Sequence, residues 1–233
     1  MSESLHSPTQ YMPAAGAIPL KLGLRERSKL DKRRRIRLAA REMFLEKGYD
    51  AATTREIAER ADVAIGTLFV YAKDKRDLLM MIINDDLDQL TALPAALAED
   101  SSLIDQLMDF FHRRYQYWRS EPRLSRPAIQ ETFDFIPRSD TQGPETARFY
   151  ARRVHLADML SAIIQAKQTS GRVSSEHSAQ EVASLILIIY MMEVRRWVNE
   201  DEVPDLETGL ARLRKLVSLA LSGIQPADGE MGG

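Results

Sequence analysis

The sequence contains no cysteine among its 233 residues. Without thiols, the chain can form neither a disulfide framework nor a thiolate metal or redox site. It also lacks a long hydrophobic run: the longest apolar segment extends from Val182 to Met192, whereas a helix needs about 20 residues to cross a bilayer. The N-terminus lacks the basic region and apolar run of a signal peptide. We therefore expect a cytoplasmic protein with no membrane partner.

Histidine is scarce, with four copies in the chain. Asp109 and His112 lie three residues apart, but the Glu-x-x-His pairs and further glutamates of a di-iron bundle are missing. The sequence also contains no G-x-S-x-G, no H-E-x-x-H and no Walker-type glycine loop. We therefore expect no metal, no cofactor and no catalytic residue, and an all-helical enzyme is the less favoured alternative.

The small net charge of −2 conceals two regions of opposite sign. Residues 25–76 carry fifteen Lys and Arg against nine Asp and Glu, whereas residues 77–233 carry sixteen against twenty-four. A basic N-terminal region followed by an acidic one is typical of a DNA-binding domain attached to a domain that does not bind DNA.

The segment from Thr53 to Lys75 has the pattern of two short helices joined by a tight turn. Thr53 and Glu56 have the spacing of a capping box, which starts a helix. Asp62 and Val63 form the expected turn, and a second helix is predicted from about Ile65 to Tyr71. A plain helical hairpin has the same pattern, but a helix-turn-helix places its second helix in the major groove of DNA.

Two features favour the DNA-binding interpretation. Gly66 lies inside the second helix, where Gly costs roughly 1 kcal/mol relative to Ala, so we expect a close approach to require it. The side chains expected to be exposed are also donors suited to phosphates or base edges: Thr54, Arg55, Thr67, Tyr71, Lys73 and Lys75.

This region resembles the DNA-binding domain of the TetR (tetracycline repressor) family of bacterial transcription regulators over about residues 28–80. Matching residues occur in the order and at the spacing of the family: Ala39, Ala40, Phe44, Gly48, Tyr49, Thr53, Thr54, Ile57, Ala58, Val63, Gly66, Thr67, Leu68, Phe69, Tyr71, Lys75, Leu78 and Leu79. Three positions differ. Asp62 replaces the usual Gly, Ala64 replaces a frequent capping Ser, and Ala72 replaces a frequent Phe. These differences are expected to weaken the turn, the cap and one packing contact.

We expect Arg55 and Thr67 to contact bases, and Thr53, Thr54, Tyr71, Lys73 and Lys75 to contact phosphates. Residues 25–37 hold eight basic residues ahead of the motif, which suggests contacts to the minor groove or to phosphates. The complete predicted DNA-binding set is Arg33, Arg34, Arg35, Thr53, Thr54, Arg55, Gly66, Thr67, Tyr71, Lys73 and Lys75.

The remaining periodicity predicts an all-α fold, with an N-terminal three-helix helix-turn-helix domain and a C-terminal helical domain for ligand binding and dimerisation. The first helix is predicted over Ser28–Lys47, and a connecting helix over Lys75–Leu93. Pro122 and Pro127 are expected to interrupt the chain. The predicted domains are a disordered leader (1–24), the DNA-binding domain (25–76), the ligand-binding and dimerisation domain (77–225) and a disordered tail (226–233).

The predicted helix from about Ser178 to Glu200 carries apolar residues on too many faces for one partner, and the last predicted helix, from Pro204 onward, has a coiled-coil-like apolar seam. Such stripes can simply fill the core of their own chain. The family resemblance implies instead that they pair with a second copy in a four-helix bundle. A homodimer would present two recognition helices to a palindromic operator in double-stranded DNA.

The resemblance also implies an inducer site among the middle helices. Aromatic and methionine side chains favour a mostly apolar pocket for a small-molecule effector, with His155 or Arg114 as a polar anchor. The chain is therefore predicted to be a repressor released by a small ligand; a regulator that binds DNA without any ligand is the alternative. The predicted ligand-binding residues are Phe111, Tyr115, Trp118, Phe133, His155, Met159 and Met192.

Overall fold

The computed structural model describes residues 23–90, 101–131 and 142–222. Within these ranges the chain forms nine α-helices and no strand, which confirms the predicted all-α class. The helices are α1 (Leu24–Lys47), α2 (Thr54–Arg60), α3 (Ile65–Tyr71), α4 (Lys75–Asp88), α5 (Leu103–Ser120), α6 (Pro122–Glu131), α7 (Pro144–Thr169), α8 (Ala179–Val198) and α9 (Leu206–Leu221). In these described ranges, no helix is long and apolar enough to cross a membrane.

Helices α1 to α3 form the predicted three-helix unit, which we call the head. Ile36 and Phe44 of α1 and Leu68 of α3 are fully buried at its centre. The capping box of α2 is present: the Thr53 hydroxyl accepts a hydrogen bond from the Glu56 backbone N–H, and the Glu56 carboxylate accepts one from the Thr53 backbone N–H. Since both bonds join residues three apart, sequence spacing alone located this helix start.

Helix α1 begins at Leu24, one turn before the predicted start at Ser28. The basic residues 25–37 are therefore all helical, so any contact that this segment makes with the minor groove or with phosphates would come from α1. Of the predicted leader, Gly23 and Leu24 are described; residues 1–22 lie outside the described ranges.

Helix α4 connects the head to the remaining helices, α5 to α9, which we call the body. The Asp74 carboxylate accepts a hydrogen bond from the Asp77 backbone N–H and caps α4, which begins at Lys75 as predicted. Leu79 and Ile83 are fully buried. The helix ends at Asp88, and the predicted continuation to Leu93 falls largely on residues 91–100, outside the described ranges.

Pro127 lies inside α6, so the predicted break at this residue is wrong. Proline removes one helical hydrogen bond, but α6 is held by its surroundings. The Arg126 side chain donates to the carbonyls of Val198 at 2.9 Å and Glu200 at 2.8 Å, and Leu124 is buried. Tertiary contacts therefore maintain a helix that local preference disfavours.

The final helix begins at Leu206 and not at Pro204, because the Asp205 carboxylate caps it by accepting a hydrogen bond from the Thr208 backbone N–H. Helices α8 and α9 pack against each other in the body. Together they leave five apolar side chains exposed, which we call the α8–α9 face: Leu185, Ile188, Met192, Leu216 and Leu219. The predicted tail at 226–233 lies outside the described ranges.

Candidate DNA interface and ligand pocket

Helix α3 presents one side to the head and the other to solvent. Leu68 is fully buried and anchors the helix, whereas Thr67 and Tyr71 are half-buried at its edges. Gly66 is exposed, and a side chain added there would meet no atom of the protein within 4 Å. Packing within the described part of the fold therefore does not require the close approach that Gly66 permits.

The turn before α3 is held by Arg35, one of the residues predicted to contact DNA. Asp62 adopts a φ of +51°, a left-handed conformation that Asp tolerates better than most residues other than Gly. Arg35 donates to the Ala61 carbonyl at 3.0 Å and to the Asp62 carbonyl at 3.2 Å. These bonds engage Nη1 of the Arg35 guanidinium, which gives Arg35 a role in holding the turn and makes it a weaker candidate for a phosphate contact.

Arg33 is likewise engaged within the protein. Its guanidinium lies 2.7 Å from the Asp85 carboxylate of α4 and 2.8 Å from Glu145 of α7. The Asp85 hydrogen bond raises the pKa of Arg33, against the opposing effect of burial, and Glu145 contributes further. The expectation that Arg33 contacts DNA is therefore replaced by a role at the junction of α1, α4 and α7. Arg34 is exposed and pairs with Asp31 of its own helix at 3.2 Å.

The expected contacts on α2 surround its N-terminus. Thr53 caps the helix, and Arg55 is exposed in its first turn; Thr54 is half-buried. The Lys47 ammonium lies 2.6 Å from Glu56. This hydrogen bond, together with those from Thr53, lowers the pKa of Glu56 to about 2, so the capping carboxylate is charged at neutral pH.

Lys75 joins the start of α4 to the loop before α2. Its ammonium donates to the Asp50 carbonyl at 3.0 Å and lies 4.7 Å from the centre of the Tyr49 ring. Lys73 is exposed beside it. A phosphate contact from Lys75 would therefore have to share or replace the bond to Asp50.

A partly enclosed cavity of about 90 Å³ lies among α4 to α8; we call it the pocket. Its wall is mostly apolar, with arginine side chains as its charged groups. Trp118 closes one side by donating a hydrogen bond to the Tyr190 hydroxyl at 2.8 Å. The lining residues are Leu87, Arg114, Trp118, Ile129, Phe149, Arg152, Arg153, Leu156, Leu187, Tyr190, Met191, Val194 and Arg195.

Of the seven predicted ligand residues, Trp118 lines the pocket. Phe111 and Tyr115 are fully buried, because their rings pack on other aromatics: the Phe111 and Tyr190 ring centres are 4.5 Å apart, and those of Tyr115 and Trp197 are 4.7 Å apart. These two residues belong to the core and do not line the pocket.

The other predicted ligand residues lie elsewhere. His155 is exposed on α7, and Met159 is half-buried against the core. Met192 is exposed on the α8–α9 face. Phe133 lies outside the described ranges.

The pocket residues on α7 were missed by the sequence analysis. Phe149, Arg152, Arg153 and Leu156 recur at intervals of three and four residues and therefore share one side of the helix. This periodicity was visible in the sequence. It does not distinguish a side that lines a cavity from a side that packs into a core.

Arg114 is the most unusual residue of the pocket wall. It is 8 % exposed, its Nη1 donates to the Phe110 carbonyl at 2.8 Å, and its guanidinium lies 3.9 Å from the centre of the Phe110 ring. Burial lowers the pKa of Arg114. No carboxylate of the described residues pairs with it, so a permanent positive charge faces the cavity without a countercharge from this part of the protein.

A chain of polar contacts leads from the pocket to the head. Arg152, in the pocket wall, donates to the Asn84 carbonyl at 2.8 Å and contacts the Asp88 carboxylate. The Asn84 side chain donates to the Glu145 carboxylate at 3.0 Å, and Glu145 pairs with Arg33 of α1. The wall of the pocket is thereby linked through α4 and α7 to the first helix of the head.

These features define a class of protein: a helix-turn-helix head joined through one connecting helix to a helical body that contains a pocket, the plan of a DNA-binding regulator. The sequence profile of the bacterial regulatory proteins of the tetR family matches residues 36–80. Residues 36–80 therefore form a DNA-binding domain of the tetR type, and the chain is a DNA-binding transcriptional regulator.

Individual relatives agree with this assignment. The transcriptional activator FasR of Mycolicibacterium smegmatis is 24 % identical over 192 residues, which cover 77 % of this chain and 78 % of FasR. The repressor KstR of the same species is 37 % identical over 62 residues, which cover 27 % of this chain and 30 % of KstR. The long match and the short, stronger match are both to regulators of transcription.

The fold is also similar to solved structures. Thermus thermophilus FadR, described as a TetR family transcriptional repressor in complex with lauroyl-CoA, superimposes with a TM-score of 0.62 at 23 % identity. The alignment covers 86 % of this chain and 99 % of that structure. At this identity the similarity establishes the fold, including the arrangement of head and body.

Proposed function

We propose that the protein is a cytoplasmic repressor that binds a palindromic operator as a homodimer and is released by a ligand with an apolar body and an anionic group. The observation that carries the ligand proposal is Arg114: a buried cation in the wall of a mostly apolar cavity, without a carboxylate partner in the described structure. KstR and Thermus FadR are named as repressors, which supports repression.

The proposed domains are the DNA-binding domain at 25–76 and the ligand-binding and dimerisation domain at 77–225. In the first, Arg55 and Thr67 are proposed to contact bases. The phosphate set keeps Thr53, Thr54, Tyr71, Lys73 and Lys75, with Arg34 added from α1.

The α8–α9 face is the proposed dimer interface. Leu219 is 72 % exposed and Ile188 is 50 % exposed, and neighbouring apolar side chains extend the same surface. Large contiguous apolar patches are rare on monomers. Burying a fully exposed side chain of this kind contributes about 1.5–3 kcal/mol, and burying a half-exposed one contributes about half as much. Two copies joined here would carry two heads, as a palindromic operator requires.

The ligand proposal follows from the energetics of Arg114. A buried charge without a partner is unfavourable, and an anionic ligand would supply the missing countercharge. The apolar wall would then surround a hydrocarbon body, consistent with the lauroyl-CoA bound to Thermus FadR. Because the cavity of about 90 Å³ is smaller than the roughly 300–1,000 Å³ of most ligand sites, we infer that its helices separate when the ligand enters.

Release of DNA would follow from this separation. Arg152 of the pocket wall contacts Asp88 of α4, so displacement of α7 would move α4 and, through Glu145 and Arg33, α1. A ligand can shift the equilibrium between the two head spacings only to the extent that it binds one state more tightly than the other. The transmission therefore depends on the junction of α1, α4 and α7 as well as on the pocket.

Selection of bound DNA from random duplexes tests the DNA-binding proposal. We expect an inverted repeat whose half-sites are one helical turn apart, or a multiple of it. Light scattering tests the dimer: Leu219→Glu should yield monomers that bind the operator weakly. Val154→Glu is the control because Val154 is also exposed, at 65 %, but lies on α7. Enrichment of unrelated single sites, or a wild-type monomer, would contradict the proposal.

Ligand release is tested with lauroyl-CoA as the probe. We expect it to dissociate the operator complex, whereas free coenzyme A, which lacks the acyl chain, and dodecanol, which lacks the charge, should not. Arg114→Met should retain operator binding and lose the response to lauroyl-CoA; Arg113→Met, at the exposed neighbouring position, should retain both. Equal responses of the two variants would reject the role of Arg114.

A further inference from the structure

The solvent-facing side of α3 is apolar. Ile65 is 39 % exposed, Phe69 is 48 % exposed and Val70 is 76 % exposed. With 3.6 residues per turn, these three and Gly66 share an arc of about 140° around the helix axis, and the buried Leu68 points elsewhere. We call this arc the reading face; none of its four residues carries a polar side-chain atom.

The reading face is poorly explained by folding alone. Single exposed apolar residues are common, but a contiguous group usually marks a binding surface. Its middle is open, because a Cβ on Gly66 would meet no protein atom within 4 Å. The backbone at Gly66 is therefore free to approach a partner closely, with apolar groups on either side.

Charge around the reading face indicates what the partner is. Arg55 of α2 and Lys73 after α3 are exposed, and the head region from 25 to 76 has an excess of basic residues. Apolar side chains on a head with an excess of exposed cations suit the major groove of duplex DNA, where phosphates border the base edges. An uncharged protein surface would gain nothing from these cations.

Among the base edges exposed in the major groove, the methyl group of thymine is the apolar one; guanine, cytosine and adenine present hydrogen-bonding groups that need polar partners. We propose that α3 recognises thymine methyl groups through Ile65, Phe69 and Val70, with Gly66 allowing the close approach. This inference rests on the proposed operator binding. It predicts that the half-site beneath α3 contains thymines, whereas hydrogen-bonded readout comes from outside the reading face.

Deoxyuridine substitution tests this directly, because it removes the methyl group and keeps the hydrogen-bonding edges of thymine. Each thymine of the selected operator is replaced in turn, symmetrically in both half-sites, and the dissociation constant is measured. One methyl group contributes about 0.8 kcal/mol, so we expect a loss of about fourfold per contacted methyl and about 15-fold for a symmetric pair. Replacement by cytosine should weaken binding, and 5-methylcytosine should recover part of the loss.

A double-mutant cycle identifies the side chain that contacts each methyl group. Val70→Ala is expected to weaken binding to the natural operator and to make deoxyuridine at one position nearly neutral. Because Val70 is exposed, we expect this substitution to leave the stability of the fold unchanged. Val154→Ala, an equivalent truncation on α7, should leave both the affinity and the deoxyuridine effect unchanged.

The outcomes separate this inference from operator binding itself. If an operator is selected but deoxyuridine changes affinity by less than 1.5-fold at all thymines, the thymine readout is wrong and operator binding stands. If the deoxyuridine loss persists in full in Val70→Ala, Phe69→Ala and Ile65→Ala, the reading face is not its cause. If no duplex is enriched, operator binding fails and the inference falls with it.

Discussion

Two arginines withdrawn from water have opposite surroundings. At the junction of α1, α4 and α7, Arg33 lies between the carboxylates of Asp85 and Glu145 at 2.7 and 2.8 Å, and its pKa is raised. In the pocket, Arg114 has the Phe110 carbonyl and ring as neighbours, and burial lowers its pKa. The charge of Arg33 is stabilised by two neighbouring carboxylates, whereas the charge of Arg114 is buried without a carboxylate in the described residues.

The contrast separates a structural charge from a functional one. A cation that is already neutralised has little affinity left for a ligand, which is why Arg33 is a poor candidate for DNA contact despite its place in a basic segment. A cation without a countercharge destabilises the unliganded protein and gains most when an anion arrives. The comparison can be tested by removing one partner from each environment.

The largest effect is expected from Asp85→Ala, which leaves Arg33 and Arg148 without this carboxylate. We expect a loss of about 1.5–3 kcal/mol in the free energy of unfolding, the range for hydrogen bonds to charged groups, measured by chemical denaturation. Asp158→Ala, at an exposed position of α7, should change stability by less than about 0.5 kcal/mol. Equal losses would show that the junction is not stabilised by its ion pairs.

Arg114→Met should act in the opposite direction. Replacing an unpaired buried charge with an apolar side chain of similar length removes a desolvation penalty, so we expect a gain of about 1 kcal/mol or more in the free energy of unfolding. Thermal and chemical denaturation without ligand measure it, with Arg113→Met as the control. A destabilised Arg114→Met would mean that Arg114 is structural, like Arg33.

Gly66→Ala extends the comparison to the head. Ala in place of Gly favours helix α3 by up to about 1 kcal/mol, and the added Cβ has free space in the protein. We therefore expect a more stable head. We also expect weaker operator binding, because the added methyl group would lie where the base edges of DNA approach the backbone at Gly66. Denaturation and operator titration of the same preparation measure the two effects. A variant that is more stable and binds the operator equally well would contradict the proposal that Gly66 permits a close approach of DNA.

The smallest effect concerns pH. Burial opposes the charged form of Asp85, but hydrogen bonds and charges from Arg33, Arg148 and Arg37 outweigh it, so the pKa of Asp85 is lowered. Stabilisation from a carboxylate with a lowered pKa is complete above its unfolded pKa of about 3.9 and is lost as the pH falls through the folded value. The melting temperature of wild type should therefore decrease more steeply below about pH 4 than that of Asp85→Asn. Parallel curves would contradict the shift.

Local features were predictable from the sequence. The capping bond of Thr53 to Glu56, the capping bond of Asp74 to Asp77 and the span of α3 depend on residues within a few positions of one another. Such contacts form whenever the segment is helical, and the family resemblance covers the same region. The fold class and the DNA-binding head were therefore predicted correctly.

The tertiary structure alone decided which side chains remain available for binding. Arg33 finds its partners 52 and 112 residues away, so its engagement is invisible to any local pattern. Tyr115 and Trp118 lie one turn apart on α5, yet Tyr115 packs on Trp197 in the core and Trp118 lines the pocket. Helical periodicity determines which residues share a side, but what that side meets depends on how distant helices pack against it.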